Sequence, residues 1–467
     1  MAFWQSPIRC GNRGPLADLH VTIDRVGGAP GGFAAQVARE LREAVRSGRL
    51  SQGTRLPSSR DLARDLGLSR GVVVEAYEQL VAEGFLESRV GVGTRVAAQP
   101  AVHADGPAPP AESHYGHRPT SPDLGCFPRQ AWLGAVRQVL STVPNDALDY
   151  GDPGGVRELR EELAGYLRRV RAADAVPGNV VVTTGVAQGL SLAVHALRPV
   201  VLAVEDPSSA RQIPLLRRAG ATLVKIPVDG EGLDVAALRR TRATAALVTP
   251  AHHYPTGVVL SPRRRADLVA WAAETGGTII EDDYDAEFRF DRDPVGCLQG
   301  LAPDLVVLSG SVSKSLAPGL RLGWMVAPPR IAGSVRQARG EFDLGSPVID
   351  QYALAHFIRT GGYDRHLRRM RREYRARRDA MVAALAGRLP EAKVHGIEAG
   401  LHLYVELPDT RRADAVVAAA RLAGLSAESV TETSLALGFA RLGSQRLTAA
   451  VAALAELIDH QNVRTKY

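Results

Sequence analysis

Between residues 33 and 47, Val37, Ala38, Leu41 and Val45 recur at three- and four-residue intervals, which places them on one face of a helix. The stretch SGRLSQGTRLP then turns the chain. Ser58 is placed to cap a second helix, with Asp61 in the first turn, where negative charge is favoured, and Leu62, Ala63 and Leu66 as its buried face. Gly67 ends that helix. Ser69 caps a third, running to about residue 83 with Val72, Val73, Ala76, Tyr77 and Leu80 as apolar positions. Helix, short glycine turn, helix is the helix-turn-helix pattern. Two short β-rich runs around Gly91 and Gly93 follow in FLESRVGVGTRVA and predict a hairpin wing.

Periodicity then disappears. Residues 98–120 are rich in Ala, Pro, His and small polar residues and read as a linker, semi-extended where proline is dense. Beyond residue 121 the texture becomes strands alternating with helices. Short β-branched or apolar runs occupy 180–184, 200–204, 223–227, 245–249, 278–282 and 305–308, with helical stretches near 187–196, 210–219, 235–240 and 263–275. Alternation of this kind predicts an α/β unit, a mostly parallel sheet covered by helices on both faces. In such sheets ligands lie at the carboxyl ends of the strands.

Composition narrows the picture modestly. The chain has 467 residues, enough for two or three domains, and a formal net charge of +7, which permits nucleic-acid binding without requiring it. Cys10, Cys126 and Cys297 are too scattered for a disulfide framework or a clustered metal site. No apolar run approaches the roughly 18 residues that span a bilayer, and the N-terminus lacks the apolar region of a signal peptide. A protein of the reducing cytoplasm is expected. The lysines are Lys225, Lys314, Lys393 and Lys466, against a large excess of arginine, so a lysine kept at a particular place is there for what an amine alone does.

Lys314 has such a place. The run 305–308 reads as a buried strand that breaks at Ser309-Gly310 into a hydroxyl-rich turn carrying it. An amine forms a Schiff base once its pKa is lowered, and a guanidinium cannot. Arg321 follows on the same loop, placed to clamp a phosphate that Ser311 and Ser313 also contact. A Schiff-base lysine beside a phosphate clamp points to pyridoxal phosphate, the alternative being an ordinary surface lysine. After the first strand, the turn at Thr184-Gly185 feeds a helix whose free amides at Val186 and Ala187 would accept a phosphate. After the run 278–282 comes EDDYD, in which Asp282 would pair with a protonated pyridine nitrogen and Tyr284 with the ring's phenolic oxygen. A solvated acidic loop remains open for EDDYD. A metal site is disfavoured, because no histidine accompanies it in the sequence.

Residues 33–97, with LPSSRDLARDLGLSRGVVVEAYEQLVAEGFLESRVGVGTRV at their centre, resemble the winged helix-turn-helix of the GntR family. The resemblance implies DNA contacts at Arg60, Ser69, Arg70 and the wing near Gly91 and Gly93, with Arg70 reaching base edges from a helix N-terminus. The ordered motifs YGDPGG, TPAHHYPTG, EDDYD and SVSKSLAPGLRLG resemble fold type I aminotransferases, and the fusion is similar to the MocR subfamily of GntR regulators.

That resemblance implies an α/β chain divided into an arm (1–19), a winged helix-turn-helix domain (20–97), a linker (98–120) and an aminotransferase-like domain (121–467). It implies that Lys314 holds pyridoxal phosphate, that Asp282 faces the ring nitrogen and Tyr284 the ring oxygen, and that Arg321, Ser311 and Ser313 hold the phosphate. Tyr150 would reach the phosphate in the partner subunit of a homodimer. Tyr254 stands where aminotransferases carry an asparagine at the ring oxygen, Ser209 where an aromatic stacks on the ring, and Ala436 where an arginine takes the substrate carboxylate. The expected function is a regulator that binds double-stranded DNA and senses pyridoxal phosphate or its adduct with a small amine or amino acid. A working aminotransferase with an appended DNA-binding module is the alternative.

Overall fold

The computed structural model describes residues 32–89, 93–97, 118–290, 295–396 and 398–464. Two compact units divide the chain, Met1–Glu112 and Ser113–Tyr467.

In the first unit, α1 (Gly32–Arg46), α2 (Ser59–Leu66) and α3 (Arg70–Ala82) precede a hairpin of β1 (Leu86–Arg89) and β2 (Gly93–Val96). The two later helices start where their serines dictate. Ser58 Oγ accepts from Asp61 N at 3.2 Å and Ser69 Oγ from Val72 N at 3.4 Å. Gly67, at φ 62°, closes α2 by donating to backbone carbonyls of its last turn. Val37, Leu41, Leu62, Val73 and Leu80 meet in one core, joined by Leu86 and Val96 from the hairpin. Registering Leu86 with Val96 and Arg89 with Gly93, the hairpin is antiparallel. Gly91 and the arm of residues 1–19 lie outside the described residues.

The second unit opens with α4 (Arg129–Thr142) and α5 (Arg157–Arg171). Then come β3 (Val180–Thr183), α6 (Val186–Ala196), β4 (Val201–Asp206), α7 (Gln212–Arg218), β5 (Thr222–Asp229), β6 (Gly232–Leu233), α8 (Val235–Arg239), β7 (Ala245–Val248), α9 (Pro262–Thr275), β8 (Thr278–Asp282), β9 (Val306–Ser311) and β10 (Gly323–Val326). These strands form one sheet in the order β3-β10-β9-β8-β7-β4-β5-β6. Its central strands β5, β4, β7, β8 and β9 are parallel. Both faces are buried because side chains alternate across each strand. Leu202, Leu247, Ile280 and Val307 pack towards α6, whereas Ala203, Val248, Ile279 and Val306 pack with Leu268 and Trp271 of α9. Each large apolar side chain so buried stabilises the fold by on the order of 2 kcal/mol.

Two features depart from the sequence reading. The strand carrying the lysine does not break at Ser309-Gly310: β9 runs on to Ser311, paired on one side with β8 and on the other with β10. Gly310 is used for close approach instead of a turn, since a Cβ there would lie 2.7 Å from the Trp324 indole nitrogen. The second departure is β10, antiparallel to both β3 and β9, which no hydrophobic alternation announced.

After α10 (Pro329–Phe342), α11 (Val348–Arg359) and the long α12 (Gly362–Arg388), a second sheet forms. It comprises β11 (Lys393–His395), β12 (His402–Glu406), β13 (Ser426–Ser429) and β14 (Ser434–Gly438), with α13 (Ala413–Leu422) and α14 (Ser444–Arg464) alongside in sequence. Its order is β11-β12-β14-β13.

Candidate cofactor site and DNA-contacting face

On the first unit, the candidate contacts cluster at helix starts because the caps put them there. Arg60 lies in the first turn of α2, and Ser69 and Arg70 open α3; all three are exposed. Arg70 Nε reaches Ser59 Oγ at 3.5 Å, which draws the two helix starts together. Gly93 begins β2 at φ 96°, and the cations beside it are Arg55, whose guanidinium would lie 3.2 Å from a Cβ on Gly93, and Arg95, which bridges to Arg55 through the backbone. Neither arginine had been singled out, because their approach depends on the hairpin folding back onto the loop before α2.

In the second unit, the carboxyl ends of adjacent strands bring the other candidates together. β8 ends on Asp282, which pairs in register with Ser309 of β9, and β9 leads directly to Lys314. The Asp282 carboxylate is buried. Gln212 Nε2 donates to its Oδ2 at 2.9 Å, while Oδ1 and the nearby strand residue's Ser309 Oγ have no hydrogen-bond partner among the described residues. Burial pushes the Asp282 carboxyl up to about 6, against the Gln212 bond. A buried carboxylate oxygen without a partner is costly unless something is meant to meet it.

The Lys314 Nζ donates to Thr120 Oγ1 at 2.9 Å. Burial, followed by the charge of Arg118, brings the Lys314 amine down to about 8, with Asp285 and Asp282 opposing. At pH 7 about a tenth of such an amine is neutral, against about three in ten thousand for an ordinary lysine. The surface-lysine reading is therefore set aside.

The candidate phosphate contacts form a second group of residues. Gly185, at φ 104°, turns the chain from β3 into α6, leaving the amides of Val186 and Ala187 at a helix start. The Arg321 guanidinium lies against this turn: it hydrogen-bonds the Thr184 carbonyl, and a Cβ on Gly185 would meet it at 2.9 Å. Arg321 has φ 51°, a conformation rare for a residue with a side chain, which fixes where its guanidinium starts. Ser311 Oγ accepts from Ser313 N at 3.4 Å at the end of β9. Gly323 of β10 pairs with both Thr183 and Ser311, so the late, antiparallel strand holds these two candidate segments together.

The remaining candidates are placed less directly. Tyr284 OH contacts His252 Nδ1 at 3.1 Å, and burial raises its phenol well above the usual range. Tyr254 OH donates to Glu428 Oε2 at 3.0 Å, and its ring meets Tyr284 edge-on at 6.3 Å. Tyr150 is 82% exposed. Ala436 is fully buried and pairs across the second sheet with Tyr404 and Glu428.

EDDYD is no solvated loop: Glu281, Asp282 and Asp285 are all buried. The argument that no histidine accompanies it also fails. His252 and His402 reach Asp285, with one potential ligand atom from each residue all within 4.8 Å of one another. His252 Nδ1 and Asp285 Oδ2 contact each other at 2.9 Å, His402 Nε2 bonds the Pro255 carbonyl at 3.0 Å, and His252 stacks on Tyr284 with ring centroids 6.2 Å apart. Burial, then His252, hold the His402 imidazole down to about 3, which keeps it neutral. These partners come from distant segments and left no signal of spacing.

Comparison with known proteins identifies the family of each unit. The family described as bacterial regulatory proteins, gntR family, matches residues 33–96, and that described as aminotransferase class I and II matches residues 127–454. The chain is 36% identical over 403 residues, 83% of its length and 85% of the relative's, to the HTH-type pyridoxine biosynthesis transcriptional regulator PdxR of Corynebacterium glutamicum. It is 32% identical over 389 residues, 78% of each chain, to the probable rhizopine catabolism regulatory protein MocR of Rhizobium meliloti. Among solved structures it resembles kynurenine aminotransferase of Pyrococcus horikoshii (25% identity, TM-score 0.67, covering 74% of this chain and 90% of that one). It likewise resembles alpha-aminoadipate aminotransferase of Thermus thermophilus, solved with N-(5'-phosphopyridoxyl)-L-leucine (26%, 0.68, 74% and 92%). With a gntR-family DNA-binding domain joined to an aminotransferase class I and II domain, this chain belongs to the MocR-type branch of the GntR transcriptional regulators.

Proposed function

We propose that the second unit binds pyridoxal phosphate and that its occupancy, or the arrival of an amine effector there, changes how the first unit holds double-stranded DNA. The observation that carries this reading is the pairing of Asp282 with the strand that leads to Lys314: one buried carboxylate oxygen without a partner, and one amine with a lowered pKa. When bound, the cofactor supplies an aldehyde that condenses with a primary amine and a pyridine ring that withdraws electrons.

Each residue has a defined task. Lys314 would present its amine to the cofactor, Asp282 would receive a ring N–H, and Tyr284, steadied by His252, would serve the ring oxygen, with Tyr254 beside it. Arg321, Ser311, Ser313 and the amides at Val186 and Ala187 hold the phosphate. Tyr150, exposed in the single chain, completes the phosphate site in the partner subunit, which makes the active form a homodimer. Arg60, Ser69 and Arg70, with the wing at Gly93, meet DNA. A methyl group at Ala436 offers no bond to a substrate carboxylate, which favours sensing over amino-transfer turnover. Among the described residues, no helix is long and apolar enough to cross a membrane.

Adding pyridoxal phosphate to the purified chain is expected to produce a visible absorbance band that Lys314→Ala removes. Operator affinity, measured by fluorescence anisotropy, is expected to change in the unsubstituted chain and to stay constant in the variant. A colourless mixture, or equal DNA responses from both proteins, defeats the reading.

A further inference from the structure

The strand that leads into the Thr184-Gly185 turn, β3, lies at the edge of the large sheet, with β10 paired on one side only. An edge leaves backbone groups that must be satisfied from elsewhere. At Val182 the N–H donates to the Gly154 carbonyl at 2.8 Å, and the carbonyl accepts from Arg339 Nη1 of α10. Arg339 is fully buried, and its other nitrogens are bonded too: Nε donates to Asp343 Oδ1 at 3.1 Å and Nη2 to Ser346 Oγ at 3.0 Å. Burying a guanidinium is costly unless it is paired and fully bonded, and here the bonding joins the strand edge to the segment that follows α10.

Asp343 carries the link on to the turn. Its Oδ2 accepts from Gln188 Nε2, and Gln188 Oε1 accepts from Thr184 N at 2.8 Å. Since Arg321 hydrogen-bonds the Thr184 carbonyl, the backbone of Thr184 is held at both its N–H and its C=O, and the amides at the start of α6 are left to meet a ligand. The far end of the link is fixed as well. Asp343 Oδ1 also accepts from Gly345 N at 3.1 Å across Leu344, which has φ 58°. Gln351 then donates to the Ser346 carbonyl at 2.9 Å and accepts from Val156 N at 2.8 Å.

We propose that Gln188 and Asp343 are positioning residues for the phosphate: Arg339 anchors Asp343, Asp343 holds Gln188, and Gln188 sets the turn so that the amides of Val186 and Ala187 are arranged for an anion before it arrives. The inference rests on the reading that this turn takes the phosphate of pyridoxal phosphate. Both side chains act through the turn, by removing an ordering cost that binding would otherwise carry.

Pyridoxal phosphate and pyridoxal, which differ by the phosphate, isolate this role when each is titrated into the full-length chain freed of cofactor and followed by the absorbance band. Gln188→Ala is expected to lower the affinity for pyridoxal phosphate about tenfold and to leave that for pyridoxal unchanged, which also shows that the pocket still folds. Asp343→Ala is expected to do the same, and the double variant to lose no more than either single one, because the two act as a unit. Gln337→Ala, which removes a bond to Glu341 on the exposed side of the same helix, is expected to leave the ratio of the two affinities unchanged. A merely structural role would lower both affinities together. Equal losses for the two ligands, or losses that add in the double variant, overturn the positioning role alone. If the unsubstituted chain gives no band with either ligand, the cofactor reading falls and this inference with it.

Discussion

The two units use charge in opposite ways. In the first, Arg60 and Arg70 are exposed at helix starts, and the ion pair Arg64–Asp61 is a surface contact at 3.3 Å. In the second, Glu205, Glu281, Asp282 and Glu287 are buried, and burial pushes Glu205 up to about 8 and Asp282 to about 6. Exposed cations lose little to desolvation and serve long-range attraction to a phosphate backbone, an effect that salt screens. Buried carboxylates are raised in energy until a partner arrives, so they report a specific ligand and respond to pH more than to salt. On the proposed function, one unit finds DNA and the other is completed by a small molecule.

The sharpest test of this contrast is Asp282→Asn. A carboxyl raised from 3.8 to about 6 means that the folded state binds more protons than the unfolded one between those values, so the native state loses stability as pH rises through the window. Replacing it with a neutral isostere that keeps the Gln212 bond is expected to stabilise the cofactor-free chain above pH 6 by up to about 3 kcal/mol, an advantage absent below about pH 4. Thermal unfolding at both pH values checks this. The same change is expected to weaken pyridoxal phosphate binding, and a variant whose advantage over the unsubstituted chain is no larger at pH 7 than at pH 4 breaks the contrast.

A somewhat smaller effect belongs to the other side. Arg70→Ala is expected to cost about 1–3 kcal/mol of operator affinity, with Arg60→Ala reducing the salt slope by about one counterion. Cofactor absorbance is expected to be unaffected in either. Titrations at several salt concentrations separate the two roles, and a loss independent of salt for Arg60→Ala would remove it from the phosphate contacts. The smallest effect expected is that of Ser58→Ala, about 1 kcal/mol of stability in the first unit through the lost cap on Asp61 N, read by chemical denaturation.

The first unit was legible almost residue by residue because its determinants are local. Ser58, Asp61, Gly67 and Ser69 act within a turn of the backbone they terminate, and the apolar spacing of α1 to α3 is the spacing of the core they share. The parallel strands of the second unit were also visible, since buried β-branched runs flanked by helices have few alternative folds. β10 was not. Only four residues long and containing a glycine, it is defined by pairing with β3 and β9, far away in sequence, and its presence lengthens β9 beyond the expected turn at Ser309-Gly310.

By itself the sequence determined the order of elements, the helix caps, the lysine at position 314 and the acid at position 282, because covalent identity and near-neighbour backbone geometry suffice for these. Only the tertiary structure decided which groups surround them: Thr120 at the lysine, Gln212 at the acid, His252 against Tyr284, and Arg55 beside the wing. Each of those contacts joins segments from separate elements, and such segments meet only after burial of apolar surface has set the sheets and helices against one another. Spacing along a chain carries no record of that distance.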